Sequence, residues 1–236
     1  MRLTVLFLAS LYCFSIQGSK KLELIRKIPH SGYSEGLDFY DGFLWHALPK
    51  EILKIDPKEG SILKRFTPAS DYSESLVWFL GDLWNVSFSN NNLYRGKLSN
   101  QKLSFKKVST VPEVHAWGMA HDNKNIILTG DYSDKLYFID PKTFKTTKTL
   151  SVKTKEGTPV SALEDLAYDK EGFIWTSSFT TYRGQIFKIN PKGIVEEFYD
   201  LTDKEDCPII DGIAYDGNLY VTGKNCPSIY YFKYPK

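Results

Sequence analysis

Cysteine and histidine are scarce in this chain, with three and four residues among 236. Cys13, Cys207 and Cys226 have no histidines nearby in the sequence, so the ligand spacing of a zinc site is missing. The histidines are scattered and no Gly-x-Ser-x-Gly occurs, which removes the usual nucleophile motif for acyl transfer. Past the first residues no apolar run approaches the roughly 20 residues that a membrane helix needs. Formal charge is only +2 and the basic residues form no stripe, which argues against a nucleic-acid partner. No segment after the first carries a convincing amphipathic helical period.

Met1 and Arg2 precede an apolar stretch from Leu3 to Ile16, and Gly18 and Ser19 follow it. That is the layout of a secretory signal over residues 1–18, with a retained anchor helix as the alternative. Ser10-Leu11-Tyr12 is not the context in which Cys13 would carry a lipid. The remainder, 19–236, is expected as one secreted or periplasmic domain, monomeric and off the membrane once the signal is cleaved. In such a compartment Cys207 and Cys226 read as a disulfide, or else as two free thiols.

Five segments share one register: Glu35-Gly36-Leu37-Asp38, Glu74-Ser75-Leu76-Val77, Trp117-Gly118-Met119-Ala120, Glu164-Asp165-Leu166-Ala167 and Asp211-Gly212-Ile213-Ala214. Their apolar anchors, Leu37, Leu76, Met119, Leu166 and Ile213, lie 39, 43, 47 and 47 residues apart. Each anchor opens an alternating strand, followed by a turn rich in Asp, Gly or Asn and two further β-rich runs, as in Phe43–Trp45 and Ile52–Ile55. A fourth run, such as Ile62–Phe66, precedes the next anchor. Four-strand units of this length predict an all-β, five-bladed propeller. The last unit lacks its fourth strand, and the spare run Leu22–Ile28 is expected to complete it and close the ring.

Equivalent positions of propeller blades face a common axis. The residue two before each anchor is Glu35, Glu74, Trp117, Glu164 or Asp211, so the five are expected to meet at one mouth, four of them acidic. Crowded carboxyls oppose each other's ionisation. Either protons stay on the ring, giving a general acid/base, or a cation sits there, and oxygen ligands would favour Ca²⁺. Lys224, closing a strand in Thr222-Gly223-Lys224, either supplies local positive charge or is a solvated surface lysine. A Ca²⁺-dependent propeller hydrolase of lactonase type and a non-catalytic peptide-binding propeller both fit this much.

At these residues the chain resembles the plant and bacterial glutaminyl-peptide cyclotransferases. Tyr33-Ser34-Glu35-Gly36-Leu37, Tyr72-Ser73-Glu74-Ser75-Leu76 and His115-Ala116-Trp117-Gly118-Met119 are similar to that family's Phe-Thr-Gln-Gly-Leu, Phe-Gly-Glu-Gly-Leu and Glu-Gly-Trp-Gly-Leu. Leu163-Glu164-Asp165-Leu166 is similar to its Leu-Asn-Glu-Leu. Ile210-Asp211-Gly212-Ile213-Ala214-Tyr215-Asp216 and Val221-Thr222-Gly223-Lys224, the most specific stretches, are similar to its Leu-Asn-Gly-Ile-Ala-Tyr-Asp and Val-Thr-Gly-Lys.

The resemblance implies a five-bladed propeller and an aminoacyl-type acyltransferase without a cofactor. It implies a peptide or protein N-terminus as substrate, with glutamine cyclised to pyroglutamate and ammonia released. It makes Glu74 the general acid/base, Lys224 an active-site lysine and Trp117 an aromatic against the substrate. Tyr33, Glu35, Phe88, Glu164, Phe179 and Asp211 complete the expected substrate pocket. The family ring reads Gln, Glu, Trp, Asn, Asn, so three amides are carboxyls here. Phe88 and Phe179 stand where it has tryptophans, and Tyr33 where it has Phe. The added acids are expected to raise the pKa of Glu74.

Overall fold

The structure is a computed structural model that describes residues 19–30, 32–111, 115–180, 184–201, 207 and 209–235. The expected signal, 1–18, lies outside the described residues. Among the described residues there are twenty strands and no helix. The strands form five antiparallel four-stranded sheets arranged as a five-bladed propeller.

Blade 1 is β2 (Gly36–Tyr40), β3 (Phe43–Leu48), β4 (Glu51–Ile55) and β5 (Ile62–Phe66). Blade 2 is β6 (Ser73–Phe79), β7 (Asp82–Ser87), β8 (Asn92–Ser99) and β9 (Lys102–Thr110). Blade 3 is β10 (Ala116–His121), β11 (Ile126–Gly130), β12 (Lys135–Ile139) and β13 (Thr146–Ser151). Blade 4 is β14 (Leu163–Tyr168), β15 (Ile174–Ser178), β16 (Gln185–Ile189) and β17 (Val195–Asp200). Blade 5 takes β18 (Ile209–Tyr215), β19 (Leu219–Lys224) and β20 (Ser228–Phe232), and its outer strand is β1 (Leu24–Pro29).

The turns follow from their residues. Asp41 and Gly42 both have positive φ, 51° and 79°, which is the backbone that a two-residue hairpin between β2 and β3 requires. β1 pairs antiparallel with β20, from Leu24 opposite Phe232 to Pro29 opposite Ser228, so the two ends of the chain close the ring. The closing strand begins two residues later than its sequence suggests, because Leu22 packs beside the core of blades 4 and 5 instead of joining the ladder. Cys207 and Cys226 are joined as a disulfide across the β18–β19 hairpin.

The apolar side chains form five clusters, one at each interface between neighbouring blades, and each anchor plugs one of them. Leu37 packs with Ile28, Tyr220 and Ile229 of blade 5. Leu76 packs with Trp45 and Ile52 of blade 1, Met119 with Trp84 and Val86 of blade 2, and Leu166 with Ile127 and Phe138 of blade 3. Ile213 packs with Trp175 and Tyr199 of blade 4. Fully burying one such side chain contributes about 1.5–3 kcal/mol, so the anchor adds one equivalent share of adhesion at every blade interface.

At the centre, the residue after each ring position is Gly36, Ser75, Gly118, Asp165 or Gly212. A Cβ on Gly118 would lie 2.2 Å from the carbonyl oxygen of Glu164, so blades 3 and 4 approach as closely as glycine allows. Asp165 is the exception in this set. Its carboxylate accepts the backbone N–H of Leu37 (2.8 Å) and of Ile213 (3.0 Å) and the hydroxyl of Ser75 (2.7 Å). One buried side chain of blade 4 thereby ties together blades 1, 2 and 5. Burial pushes its pKa from 3.8 up to about 7, against the pull of those donors.

A second buried polar line crosses the closing seam. His30, directly after β1, meets His46 of β3 at 2.9 Å, and His46 reaches the hydroxyl of Ser34 at 2.8 Å. Burial lowers the pKa of both imidazoles, and each is held neutral.

Candidate active site

The five ring residues converge as their register requires, but the backbone does more than alternate. The ladder shifts register between Ser73 and Ser75, Ala116 and Met119, Leu163 and Leu166, and Ile210 and Ile213. Glu74, Trp117, Glu164 and Asp211 each lie inside one of these irregularities. A bulge bends the strand and re-aims its side chain, so four inner strands turn a residue toward the mouth by the same device. The exposed backbone groups are satisfied locally. Thr129 and Thr176 donate their hydroxyls to the carbonyl of Glu164, and Gly118 N–H donates to the Thr129 hydroxyl.

The mouth holds a cavity of ≈ 230 Å³ lined by nine residues. Seven of them are expected from the sequence: Tyr33, Glu74, Phe88, Trp117, Glu164, Phe179 and Lys224. Tyr72 and Tyr132 are the other two. Trp117 meets Tyr132 edge-on at 5.2 Å and Phe179 at 6.3 Å, and Phe88 lies between His115 (4.6 Å) and Tyr72 (5.5 Å). The result is an aromatic wall around two carboxyls. A larger groove on the outer strands of blade 2, between Arg95, Lys106 and Phe144, has no carboxyl in its lining.

Glu35 and Asp211 come to the same place but do not line the cavity. Both are fully buried, and they reach it through Lys224, whose ammonium is 3.0 Å from each. Lys224 is not a solvated surface lysine. It pairs with Tyr33 in an isolated backbone bridge and lies over the Tyr33 ring at 5.2 Å. The glycine before it is required there, since a Cβ on Gly223 would sit 1.8 Å from the Ile209 carbonyl oxygen. Tyr72 donates its hydroxyl to the other oxygen of Glu35. Tyr72 stands two residues before Glu74 as Tyr33 stands two before Glu35, so the repeat register held the signal that finds it. Tyr132 comes from a turn outside the register and carries no such signal.

The electrostatics follow from this crowding. Burial raises Glu74 well above the usual carboxylate range, and the charges of Glu35, Glu164 and Asp165 add to it. Burial raises Asp211 strongly, helped by Glu164, Glu35 and Glu74. Burial also raises Glu35, and it brings Glu164 to about 7 although Lys224 pulls it down. For Lys224 burial opposes the charge, yet Asp211, Glu35 and Glu164 outweigh it and hold the ammonium protonated. Glu74 Oε2 is buried without a hydrogen-bond partner among the described residues. No group of three or more metal-ligating side chains occurs among the described residues.

An aromatic-walled mouth with buried carboxyls of raised pKa at the axis of a five-bladed propeller is a candidate functional site. The model of the glutamine cyclotransferase family matches residues 9–234, and the chain belongs to that family. Among solved structures it is similar to the glutaminyl cyclase of Myxococcus xanthus, with 18% identity, a TM-score of 0.78, and coverage of 91% of this chain and 98% of that one. It is also similar to a virginiamycin B lyase of Staphylococcus aureus in complex with quinupristin, a catalytically inactive H270A form, with 16% identity, a TM-score of 0.51, and coverage of 86% and 66%. At these identities the structural likeness speaks for the propeller fold. A search of curated proteins gave no significant match.

Proposed function

We propose that this protein cyclises an N-terminal glutamine of a peptide or protein to pyroglutamate, with Glu74 as general acid/base. The observation that carries the reading is Glu74 itself. It is 3% exposed, one carboxyl oxygen has no hydrogen-bond partner among the described residues, and it lines a cavity walled by Trp117, Phe88 and Phe179. In the reaction the substrate's α-amine forms a bond to its own side-chain carboxamide carbon, and the bond from that carbon to nitrogen breaks. Glu74 takes a proton from the attacking amine and returns one to the departing ammonia. A carboxyl whose pKa burial raises well above the usual carboxylate range suits both steps. The aromatic walls hold the substrate folded on itself, which converts an intramolecular encounter into a favoured geometry.

The chemistry asks for no cofactor, and Lys224 supplies the positive charge that a bound cation would bring to Glu35 and Asp211. The disulfide fits an oxidising compartment, which supports a secreted or periplasmic site of action. The test is ammonia release from a glutamine-initiated peptide. Turnover that is lost in Glu74→Gln supports the reading, and a folded wild-type protein with no turnover from about pH 5 to about pH 9 removes it.

A further inference from the structure

The propeller axis has a second cavity, at the C-terminal ends of the inner strands and so opposite the mouth. It measures ≈ 190 Å³ and shares no lining residue with the mouth. The repeat register explains its walls. The residue after each anchor is Asp38, Val77, Ala120, Ala167 or Ala214, so one carboxyl stands among four apolar side chains. The residue two after each anchor is Phe39, Trp78, His121, Tyr168 or Tyr215, so every blade contributes an aromatic ring at this level. All of these rings except Trp78 line the cavity together with Asp38. Most of them are braced by a further ring. Phe39 stacks on Tyr220 at 5.7 Å, His121 stacks on Phe79 at 4.7 Å, and Tyr215 meets Tyr234 edge-on at 5.6 Å. His121 accepts the Asn123 N–H through Nδ1 at 3.2 Å, and burial lowers its pKa, so it stands there as a neutral ring.

Asp38 is the single carboxyl of that lining, and no lysine or arginine lines it. Its carboxylate accepts the backbone N–H of Trp78 at 2.7 Å and that of Phe39, which fixes its orientation without neutralising it. Burial raises its pKa to about 6, which leaves it ionised at neutral pH. A negative charge in a small apolar recess calls for a cation. The lining decides which kind. A hard metal ion takes roughly six to eight oxygen ligands, and one carboxyl with two phenols falls short of that. A primary ammonium needs an acceptor for each of its N–H groups, and Val77, Ala120, Leu166 and Ala167 supply none from their side chains. Aromatic faces beside a carboxylate suit a quaternary ammonium, which asks for no hydrogen bond. The volume lies below the roughly 300 Å³ at which drug-sized ligands begin, so the cavity takes a small headgroup. We propose that this lower cavity is a second binding site, an aromatic cage for a small quaternary ammonium such as a trimethylammonium group, with Asp38 as its counter-charge. Nothing in it rests on the cyclisation reading, since the two cavities have no residue in common.

The experiment titrates choline chloride into the whole protein at constant ionic strength and follows the trimethyl proton resonance of the ligand. Binding with a Kd of about 1 mM or tighter is expected. The resonance should move upfield, because protons over aromatic faces are shielded. The neutral carbon analogue of choline, 3,3-dimethyl-1-butanol, should bind at least about tenfold more weakly, since charge alone distinguishes the two. Asp38→Asn keeps an oxygen for the backbone N–H groups and should weaken choline at least about tenfold, and Tyr168→Leu should weaken it about 3- to 30-fold. Thermal unfolding of each variant checks folding, and the comparison of choline with its neutral analogue needs no variant at all. Glu74→Gln, at the opposite mouth, should leave the choline affinity unchanged. Absence of choline binding to the wild type at about 10 mM overturns the proposal. Equal affinity for the neutral analogue, or affinity kept in Asp38→Asn, overturns it too. Affinity lost in Glu74→Gln would place the cation at the mouth and overturn it. Displacement of choline by an equimolar concentration of potassium would make the cavity an inorganic ion site, which also overturns the proposal.

Discussion

Glu164 and Asp165 are neighbours in the sequence, are equally buried, and live in opposite circumstances. Asp165 faces the centre of the propeller, where three donors from three other blades fill its lone pairs. Glu164 faces the mouth, where it lines a cavity and meets a second buried acid, Asp211, in place of backbone donors. The same contrast separates the two levels of the ring as a whole. The central level is satisfied and holds blades together, while the mouth leaves Glu74 Oε2 and Asp211 Oδ1 buried without hydrogen-bond partners among the described residues. A protein keeps unsatisfied buried acids only where something else repays their cost, so the unsatisfied level is where chemistry is to be sought.

Substitutions can break or sharpen this contrast. The largest effect is expected at Glu74. Glu74→Gln should cost about 10²–10⁴-fold in turnover while leaving the unfolding temperature unchanged or slightly raised, since it removes a buried acid from a crowded ring. A large loss of stability would mean that the mouth is structural after all. Next comes Asp165→Ala, which should destabilise by about 3–5 kcal/mol in denaturant unfolding because two backbone N–H groups lose their partner. Asp165→Asn should be milder. Its oxygen can accept both N–H groups while its amide donates to the Ser75 hydroxyl.

The pH dependence of stability carries a sign. The folded pKa of Asp165, about 7, lies above its unfolded value of 3.8. Its contribution is therefore complete below about pH 4 and is lost as pH rises through about 7, and Asp165→Asn should flatten that slope. The seam runs the other way. The pKa values of His30 and His46 are lowered by burial, so its contribution is present above about pH 6.5 and is lost as the pH falls below that toward the lowered folded values.

Replacing Cys207 and Cys226 by serine should cost about 3 kcal/mol for a loop of this size. The bridge lies four residues before Asp211 and two after Lys224, so KM should rise more than kcat falls. The smallest effect is expected at Tyr72. Tyr72→Phe removes one hydrogen bond to Glu35, about 1–2 kcal/mol, and should raise the Glu35 pKa, which a shifted pH–rate profile would report.

Much of this architecture is written plainly in the repeat. The anchors Leu37, Leu76, Met119, Leu166 and Ile213 predicted five blades because each must be buried in the same way against the blade before it. The ring followed from counting back two residues, and Lys224 from a motif whose glycine is sterically required. Three things were not legible. The bulges that aim Glu74, Trp117, Glu164 and Asp211 depend on how two strands slip past each other, which one strand's residues do not reveal. Asp165 resembles any acid beside an acid until its partners on three distant blades are in place. That Lys224 pairs with Glu35 and Asp211 and not with Glu74 depends on where one long side chain ends.

The closing seam has a further consequence for how the site comes into being. Blades 1 to 4 supply Glu35, Glu74, Trp117 and Glu164, but Asp211 and Lys224 belong to the blade that is synthesised last and that also waits for the chain's first strand. Until β1 and β20 meet, blade 5 lacks its outer strand, although Asp211 and Lys224 already share the β18–β19 hairpin. The mouth is therefore complete only when blade 5, which carries both residues, has joined the ring. A chain interrupted anywhere before blade 5 would carry Glu74 and most of the aromatic wall but neither Asp211 nor Lys224.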